Sequence, residues 1–428
     1  MKAFLTSFWS PTNSSLRKNT IETFARQLLA ALAQLLTTIL IARRLGADGN
    51  GAYVMALLLP TMLTTFLNMG VGTATVYFVA QKAVTPNQAV RENYHLALLV
   101  SVAGLLVGSL AVTIWGDLLF PGVPSSLLLC SGLIFPASLI SAYWSAVLQG
   151  VEDFRAYNLS VLAPPLITLV ATSFALLVFP PSLLFAIYAY LVGQFFGTLF
   201  IFFRVKPYLK DIPHKNFTLN YKQTILTYGI KTHLANIMAF VNYRADIFLV
   251  NFFMTPAATG IYALAVQLSE RLWMLSQSLS TVLLPQLSAT RTNSKERYKM
   301  VIQSGIIIGI ITFISSIFLL IALYFLLEPI FGREYRESFT PFLWLIPGIV
   351  FGASSRIYSN GIAAFGRPEL NFYISIIVVL VNIFGNIMLI PKYGVNGAAF
   401  STTLAYTINT VLKFLQINKL LSVKKSNF

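Results

Sequence analysis

Eight charged side chains lie inside long apolar runs of this 428-residue chain: the cations Arg26, Lys231, Arg244, Arg271, Arg356 and Lys413, and the carboxylates Asp246 and Glu270. An ionised group at the centre of a bilayer costs about 2.5–3.5 kcal/mol on insertion scales, so such residues face a bundle interior or a wet cavity. Six cations against two carboxylates make that interior favour anions. Arg26 and Lys413 stand near the ends of their runs, where a long side chain can also reach the headgroups. Asp246 and Glu270 could titrate or hold a cation and so couple the chain to an H+ or Na+ gradient, although pairing with a nearby Arg is the commoner outcome for an intramembrane acid. His233 stands alone and reads as a hydrogen-bonded structural residue.

Two helical stretches gather most of this polarity. At 100° per residue, Lys231, Asn242 and Asp246 fall within about 60° of one another, His233 and Arg244 share a second stripe, and Asn236 lies between the two. In the next stretch Gln267, Glu270 and Gln277 follow a similar stripe with Arg271 beside it. Both helices are candidates for lining a cavity, and Asn360 adds a further amide on a later one.

The elements that must carry these residues are set by composition. Apolar residues make up 56% of the chain and charged ones only 10%, against about 25% charged in soluble domains, so the fold class is an all-α polytopic membrane protein. A spanning helix needs about 20 apolar residues. Apolar runs place spans near 23–42, 52–80, 94–115, 125–148, 157–178, 182–203, 225–253, 258–284, 301–327, 339–365, 372–390 and 397–417. That is twelve helices, with Pro136, Pro164, Pro165, Gly70 and Gly72 marking kinks. A lone cysteine, Cys130, excludes a disulfide scaffold and a thiolate zinc site. No phosphate-binding loop ending in Lys-Ser or Lys-Thr is present, so ATP hydrolysis by this chain is excluded. No metal site, cofactor site or catalytic constellation stands out.

Net charge of +16 would suggest nucleic acid in a soluble protein, but here its distribution is what matters. Of the Lys and Arg outside the spans, 19 fall on the N-terminal side of the membrane and five opposite. That bias predicts both termini in the cytoplasm. The start, with Lys2, Phe4, Leu5, Phe8 and Trp9 before polar residues, predicts no cleaved signal peptide and an amphipathic segment along the inner surface. The expected organisation is a cytoplasmic segment 1–22, a six-helix bundle 23–203, a basic linker 204–224, a second six-helix bundle 225–417 and a cytoplasmic tail 418–428. The halves echo each other: Gly51-Ala52-Tyr53 matches Gly260-Ile261-Tyr262, and Gly150-Val151-Glu152-Asp153 matches Gly366-Arg367-Pro368-Glu369. Six spans per half make the repeats parallel, with a substrate path near the midplane.

The stretch Ala42-Arg43-Arg44-Leu45-Gly46-Ala47-Asp48-Gly49-Asn50-Gly51-Ala52-Tyr53, followed by Asn68-Met69-Gly70-Val71-Gly72-Thr73-Ala74, resembles the oligosaccharide flippase, or polysaccharide transporter, branch of the superfamily that includes MATE exporters. Further similar segments follow in family order: Phe331-Gly332-Arg333-Glu334-Tyr335, Phe365-Gly366-Arg367-Pro368 and Tyr393-Gly394-Val395-Asn396-Gly397-Ala398-Ala399. Asn50 and Asn68 depart from the family's usual aromatic residue and Asp; the second removes one ion or proton site.

The resemblance implies two six-helix bundles around a central cavity that opens alternately to either side of a bacterial cytoplasmic membrane. It implies a polyprenyl-pyrophosphate-linked oligosaccharide as substrate, surface polysaccharide (O-antigen, capsule or exopolysaccharide) as product, and a polysaccharide polymerase and chain-length regulator as partners beside the membrane lipids. On that footing Arg26, Lys231, Arg244, Arg271 and Arg356 are candidates for the pyrophosphate, through the planar fork of Arg and the point charge of Lys. Asn236, Asn242, Gln267, Gln277 and Asn360 are candidates for sugar hydroxyls. Two other readings stay open: a MATE-like exporter of small compounds, which would prefer an acidic cavity, and a membrane polysaccharide-processing enzyme, which would show a larger outer loop than the one near 328–338.

Overall fold

The computed structural model describes residues 14–210, 221–274, 276, 277, 280 and 294–426. The described residues form helices and turns. In chain order the helices are α1 (Ser14–Leu67), α2 (Val71–Ala80), α3 (Pro86–Leu119), α4 (Ser125–Gly132), α5 (Ile134–Gly150), α6 (Phe154–Val178) and α7 (Leu183–Val205). There follow α8 (Tyr221–Phe253), α9 (Pro256–Glu270), α10 (Ser294–Phe331), α11 (Phe339–Ala364) and α12 (Glu369–Ser426). Helices are what a bilayer demands, because hydrocarbon offers no partner to an open backbone N–H or C=O.

Eight helical stretches among the described residues are long and apolar enough to cross a membrane. Two are overlong: Ala25–Leu67 has 43 residues and Glu369–Leu420 has 52, whereas about 20 suffice for one crossing. Each is two helices joined at a glycine, Gly46 (φ 69°) in α1 and Gly394 (φ 58°) in α12. A side chain is strained at such a φ, so glycine is the residue that allows the break. α8 is absent from the eight because Lys222, Lys231, Arg244 and Asp246 interrupt its apolar character.

Among the described residues three of the sequence-read spans are broken, the span at 258–284 leaving its helix at Glu270 for a turn at Arg271 and Leu272. The span at 52–80 stops at Leu67 and restarts at Val71, across Met69 (φ 54°) and Gly70 (φ 69°). The span at 125–148 divides at Leu133 between α4 and α5. The break before Val71 falls where Gly70 and Gly72 mark a kink, whereas apolar composition runs straight through the one at Leu133, so hydropathy could not show it. Residues 1–13, 211–220 and 427–428 lie outside the described residues, and with them parts of the expected N-terminal segment, linker and tail.

The chain forms two compact units. The first comprises Met1–Leu45, Ala56–Asp117 and Val123–Leu234. Its core gathers Phe135, Leu139, Tyr143, Trp144 and Val147 of α5 with Val71 and Ala74 of α2 and Ile201 and Val205 of α7. α6 and α7 approach closely at Gly193 and Gly197, where an added Cβ would collide with Thr168 and Pro164. This small-xxx-small contact is how helices associate in lipid, where van der Waals packing replaces the hydrophobic effect. The break at 68–70 is anchored: the Tyr143 hydroxyl donates to the Asn68 carbonyl at 2.9 Å, and Gly70 lies against the backbone of Gly229. Inside the same unit Tyr221 donates to Asn93 Oδ1 at 2.6 Å and Asn93 Nδ2 to Thr75 Oγ1 at 3.0 Å. His233 is buried with a ring nitrogen 2.9 Å from the Phe66 carbonyl, the structural role its sequence context suggests.

The second unit comprises Gly46–Met55, Leu118–Gly122 and Ala235–Phe428. Two stretches that carry the family resemblance, 42–53 and 331–335, meet in it. Glu334 Oε2 accepts the Ala47 N–H at 2.7 Å, and the Tyr335 hydroxyl donates to the Gly46 carbonyl at 3.1 Å. Gly51 and Gly260, the glycines matched between the two halves, face each other. A Cβ on Gly51 would collide with the Pro256 carbonyl, and one on Gly260 would lie 2.9 Å from the Gly51 nitrogen. Overpacking of this kind costs about 1–3 kcal/mol. Gly51→Ala and Gly260→Ala are each expected to lower the melting temperature of the detergent-solubilised protein, whereas Gly132→Ala, whose Cβ would meet only Leu105 at 3.9 Å, is expected not to.

Candidate functional site

Three polar clusters interrupt the apolar packing of the second unit. In the first, Arg244 of α8 grips Glu270 at the end of α9, Nη1 to Oε1 at 3.0 Å and Nη2 to Oε2 at 3.3 Å, and Nη1 also donates to the Tyr243 carbonyl at 3.0 Å. The fork geometry suits a planar guanidinium. Both partners are half-buried, with side chains 35% and 22% exposed. Arg244 therefore already has a counterion, which reduces its capacity for a further anion, and Glu270 is held by Arg244.

The second cluster surrounds Asp246, which is fully buried. Its Oδ2 accepts from the Tyr262 hydroxyl at 2.7 Å and from Thr402 Oγ1 at 3.0 Å, and Oδ1 accepts from the Ile247 N–H at 2.8 Å. Asn382 Nδ2 donates to Thr402 Oγ1 at 3.3 Å, and Asn386 donates to the Asn382 carbonyl at 2.8 Å. The Oδ1 of Asn386 is buried without a hydrogen-bond partner. A carboxylate and a spare amide oxygen on one polar network form an oxygen-rich environment in a region otherwise filled by apolar side chains.

The third cluster encloses a cavity of about 160 Å3. Its cations are Arg356 of α11 and Lys413 of α12. Neither is paired with a carboxylate among the described residues. Arg356 is oriented by the face of Trp273, 5.8 Å from the ring centre, and by Gln277, whose Oε1 accepts from Nη1 at 3.2 Å. Lys413 is only 7% exposed. Trp273, Tyr243 and Tyr406 form an aromatic wall with centroid separations of 5.3–6.2 Å. The Trp273 N–H is committed to the Ile349 carbonyl at 3.0 Å, which fixes the ring at the cavity wall. Gly352 makes room for that ring, since a Cβ there would stand 2.9 Å from Trp273 Cζ2. Ser355, Ser359, Asn360 and Asn409 complete the lining; Ser355 Oγ and Asn409 Oδ1 are buried without partners.

The sequence-read candidates thus scatter. Arg356 and Asn360 line the cavity, Asn360 also donating to the Ser280 carbonyl at 3.1 Å, and Gln277 orients Arg356. Arg244, Glu270 and Asp246 are engaged as described. Arg26 belongs to the first unit, where it pairs with Glu22 at 3.1 Å one helical turn away. Asn242 is buried with its Oδ1 unpartnered, Asn236 is exposed, Gln267 and Arg271 are half-buried, and the side chain of Lys231 lies outside the described residues. The cavity residues that sequence reasoning missed are Trp273, Tyr243, Tyr406, Asn409, Ser355 and Ser359, while Lys413 reads from the sequence as an intramembrane cation near a span end but not as a ligand. A signal was present: Arg356 and Asn360, and Asn409 and Lys413, each stand four apart on one helix face.

The family model described as polysaccharide biosynthesis protein matches residues 40–340. The chain belongs to that family. The chain is 24% identical over 392 residues to a putative O-antigen transporter of Shigella flexneri, covering 87% of this chain and 90% of that one. Its fold matches that of the lipid II flippase MurJ in an inward closed conformation, with TM-score 0.71, 18% identity and coverage of 96% and 93%. It also matches an inward-facing multidrug resistance MATE family transporter of the MOP superfamily, with TM-score 0.72, 13% identity and coverage of 96% and 100%. The family expected from the sequence motifs is therefore the one found, and these two likenesses establish the MATE-like and MurJ-like fold.

The pairing of Arg244 with Glu270 has a direct check. In a double-mutant cycle with Arg244→Gln and Glu270→Gln, read by thermal unfolding in detergent, the expected coupling is about 0.5–3 kcal/mol; strictly additive effects would show that the pair contributes nothing.

Proposed function

We propose that this chain is a flippase that moves polyprenyl-pyrophosphate-linked oligosaccharide repeat units from the cytoplasmic to the outer leaflet of a bacterial cytoplasmic membrane, feeding O-antigen, capsule or exopolysaccharide assembly. The observation that carries this reading is the cavity with two cations and no carboxylate among its lining residues. Crossing about 30 Å of hydrocarbon strips a pyrophosphate of its water, and fixed cations inside the bundle replace that solvation. Sugar hydroxyls require hydrogen-bonding side chains, which Asn360, Asn409, Ser355 and Ser359 supply. The family's described role in polysaccharide biosynthesis supports the substrate class, as does the relative named as a putative O-antigen transporter. On this reading the chain makes twelve crossings in two six-helix bundles, keeps both termini in the cytoplasm, works by alternating access as a transporter rather than an enzyme, and delivers its cargo to a polymerase and chain-length regulator.

The energy for directed movement then comes from an ion gradient, and Asp246 is the group that couples to it. Its two oxygens, the spare Oδ1 of Asn386 and the Thr402 hydroxyl belong to one network able to take up H+ or Na+. In proteoliposomes Asp246→Asn is expected to abolish acceleration of transport by an imposed H+ or Na+ gradient, while slow gradient-independent movement persists. Full retention of the acceleration would remove Asp246 from coupling.

The function itself is tested by deleting the gene and quantifying polyprenyl-pyrophosphate-linked oligosaccharide together with surface polysaccharide. Accumulated lipid-linked units and lost polymer are expected, restored by the native chain but not by Arg356→Gln at equal membrane level. An unchanged lipid-linked pool with altered sensitivity to toxic compounds would instead indicate a MATE-like exporter.

A further inference from the structure

We propose that the cavity bounded by Arg356, Lys413 and Trp273 is a subsite for one sugar ring that carries an oxyanion, either a glycosyl phosphate or the carboxylate of an acidic sugar. The inference rests on the flippase reading and narrows it to one part of the substrate.

Size limits the occupant first. About 160 Å3 is well below the roughly 300–1,000 Å3 of pockets that enclose drug-sized ligands, so an oligosaccharide cannot enter whole and a single ring with its substituent can. Charge limits it next. Arg356 and Lys413 line one small cavity and carry like charges, and the lining offers no carboxylate to offset them. Arg356 is already aimed by Trp273 and Gln277, so little side-chain freedom is lost when it binds. Shape and polarity supply the third limit. A bare phosphate needs no aromatic wall, whereas the C–H face of a pyranose packs on one, and Trp273, Tyr243 and Tyr406 present it. Ser355 Oγ, on a residue only 2% exposed, and Asn409 Oδ1 are unpartnered beside the cavity. A ring hydroxyl satisfies both kinds of group, because it donates and accepts.

The test is binding to the full-length protein in detergent, followed by calorimetry and by saturation-transfer NMR, with four probes: glucose 1-phosphate, glucuronate, glucose and inorganic phosphate. One of the two anionic sugars is expected to bind at least about tenfold more tightly than either glucose or phosphate, as for a charge-assisted contact added to a sugar contact. Which one prevails identifies the oxyanion's source. Arg356→Gln and Lys413→Met are each expected to abolish that preference, and Lys413→Arg to keep it, with melting temperatures checked so that unfolding is not mistaken for lost binding. Equal binding of glucose and the anionic sugars, phosphate binding as tightly as any sugar, or no binding by any probe would each overturn the subsite. A parallel flipping assay in proteoliposomes with a lipid-linked oligosaccharide separates the two ideas. Flipping without the binding preference leaves the flippase reading and removes the subsite; the preference without flipping leaves the subsite and removes the flippase reading.

Discussion

Everything in this fold answers to the inability of hydrocarbon to solvate a polar group. Each unsatisfied backbone amide in lipid costs several kcal/mol, so the described chain is helical. The same constraint governs the side chains. Asp246 is surrounded by donors, Arg244 is gripped by Glu270, and Asn93 sits between Tyr221 and Thr75. Against that background the residues left incomplete carry information. Arg356 and Lys413 are cations without a carboxylate, and Ser355 and Asn409 hold unpartnered oxygens at the same cavity. Single unpartnered atoms occur elsewhere, Asn242 Oδ1 and Asn386 Oδ1 among them, but this cavity brings two such oxygens together with two cations that have no carboxylate among the described residues.

Lipid also removes the hydrophobic drive for helices to associate, so they must touch closely to gain dispersion energy. Glycine is the means. Gly193 and Gly197 seat α6 on α7, Gly51 meets Gly260, and Gly70 meets Gly229. The motifs shared with the family therefore have a physical content beyond resemblance. Gly46 permits a left-handed break, Glu334 caps the released Ala47 amide, and Gly51 admits the neighbouring helix to backbone distance. None of these residues contacts the cavity. Their task is to hold the helices on which Arg356, Lys413 and Trp273 are displayed.

How far the molecule was legible in its sequence follows from the same physics. Helical membrane character was fully legible, because it depends only on composition and run length. The break at Gly70 was legible as a kink, because Gly70 and Gly72 mark one, though its anchoring by the Tyr143 hydroxyl on the Asn68 carbonyl was not; the break at Leu133 leaves hydropathy unchanged and gave no signal. Pairing of the acids with arginine was legible in kind: Glu270 takes Arg244, as intramembrane electrostatics favours, while Asp246 turns instead to hydroxyl donors. Lys413 was the residue most easily misread. Its place near a span end fits snorkelling as well as burial, and only the packing of α11 against α12 decides for burial. Trp273 and Tyr406 gave no signal at all, because an aromatic residue in a membrane helix is ordinarily lipid-facing or core.

Charge sign is what separates the two transport readings that this fold can serve. A cavity meant for cationic compounds needs carboxylates free to meet them, yet Glu270 is committed to Arg244 and Asp246 to Tyr262 and Thr402. The cations show the reverse pattern: Arg356 is oriented by neutral partners that do not neutralise it, and Lys413 lines the same cavity with no carboxylate beside it among the described residues. To convert such a cavity to cationic cargo, both charges would have to be removed and an acid introduced among aromatic rings. A negatively charged cargo asks for no such change, since its charge is opposite to that of the two cations lining the cavity.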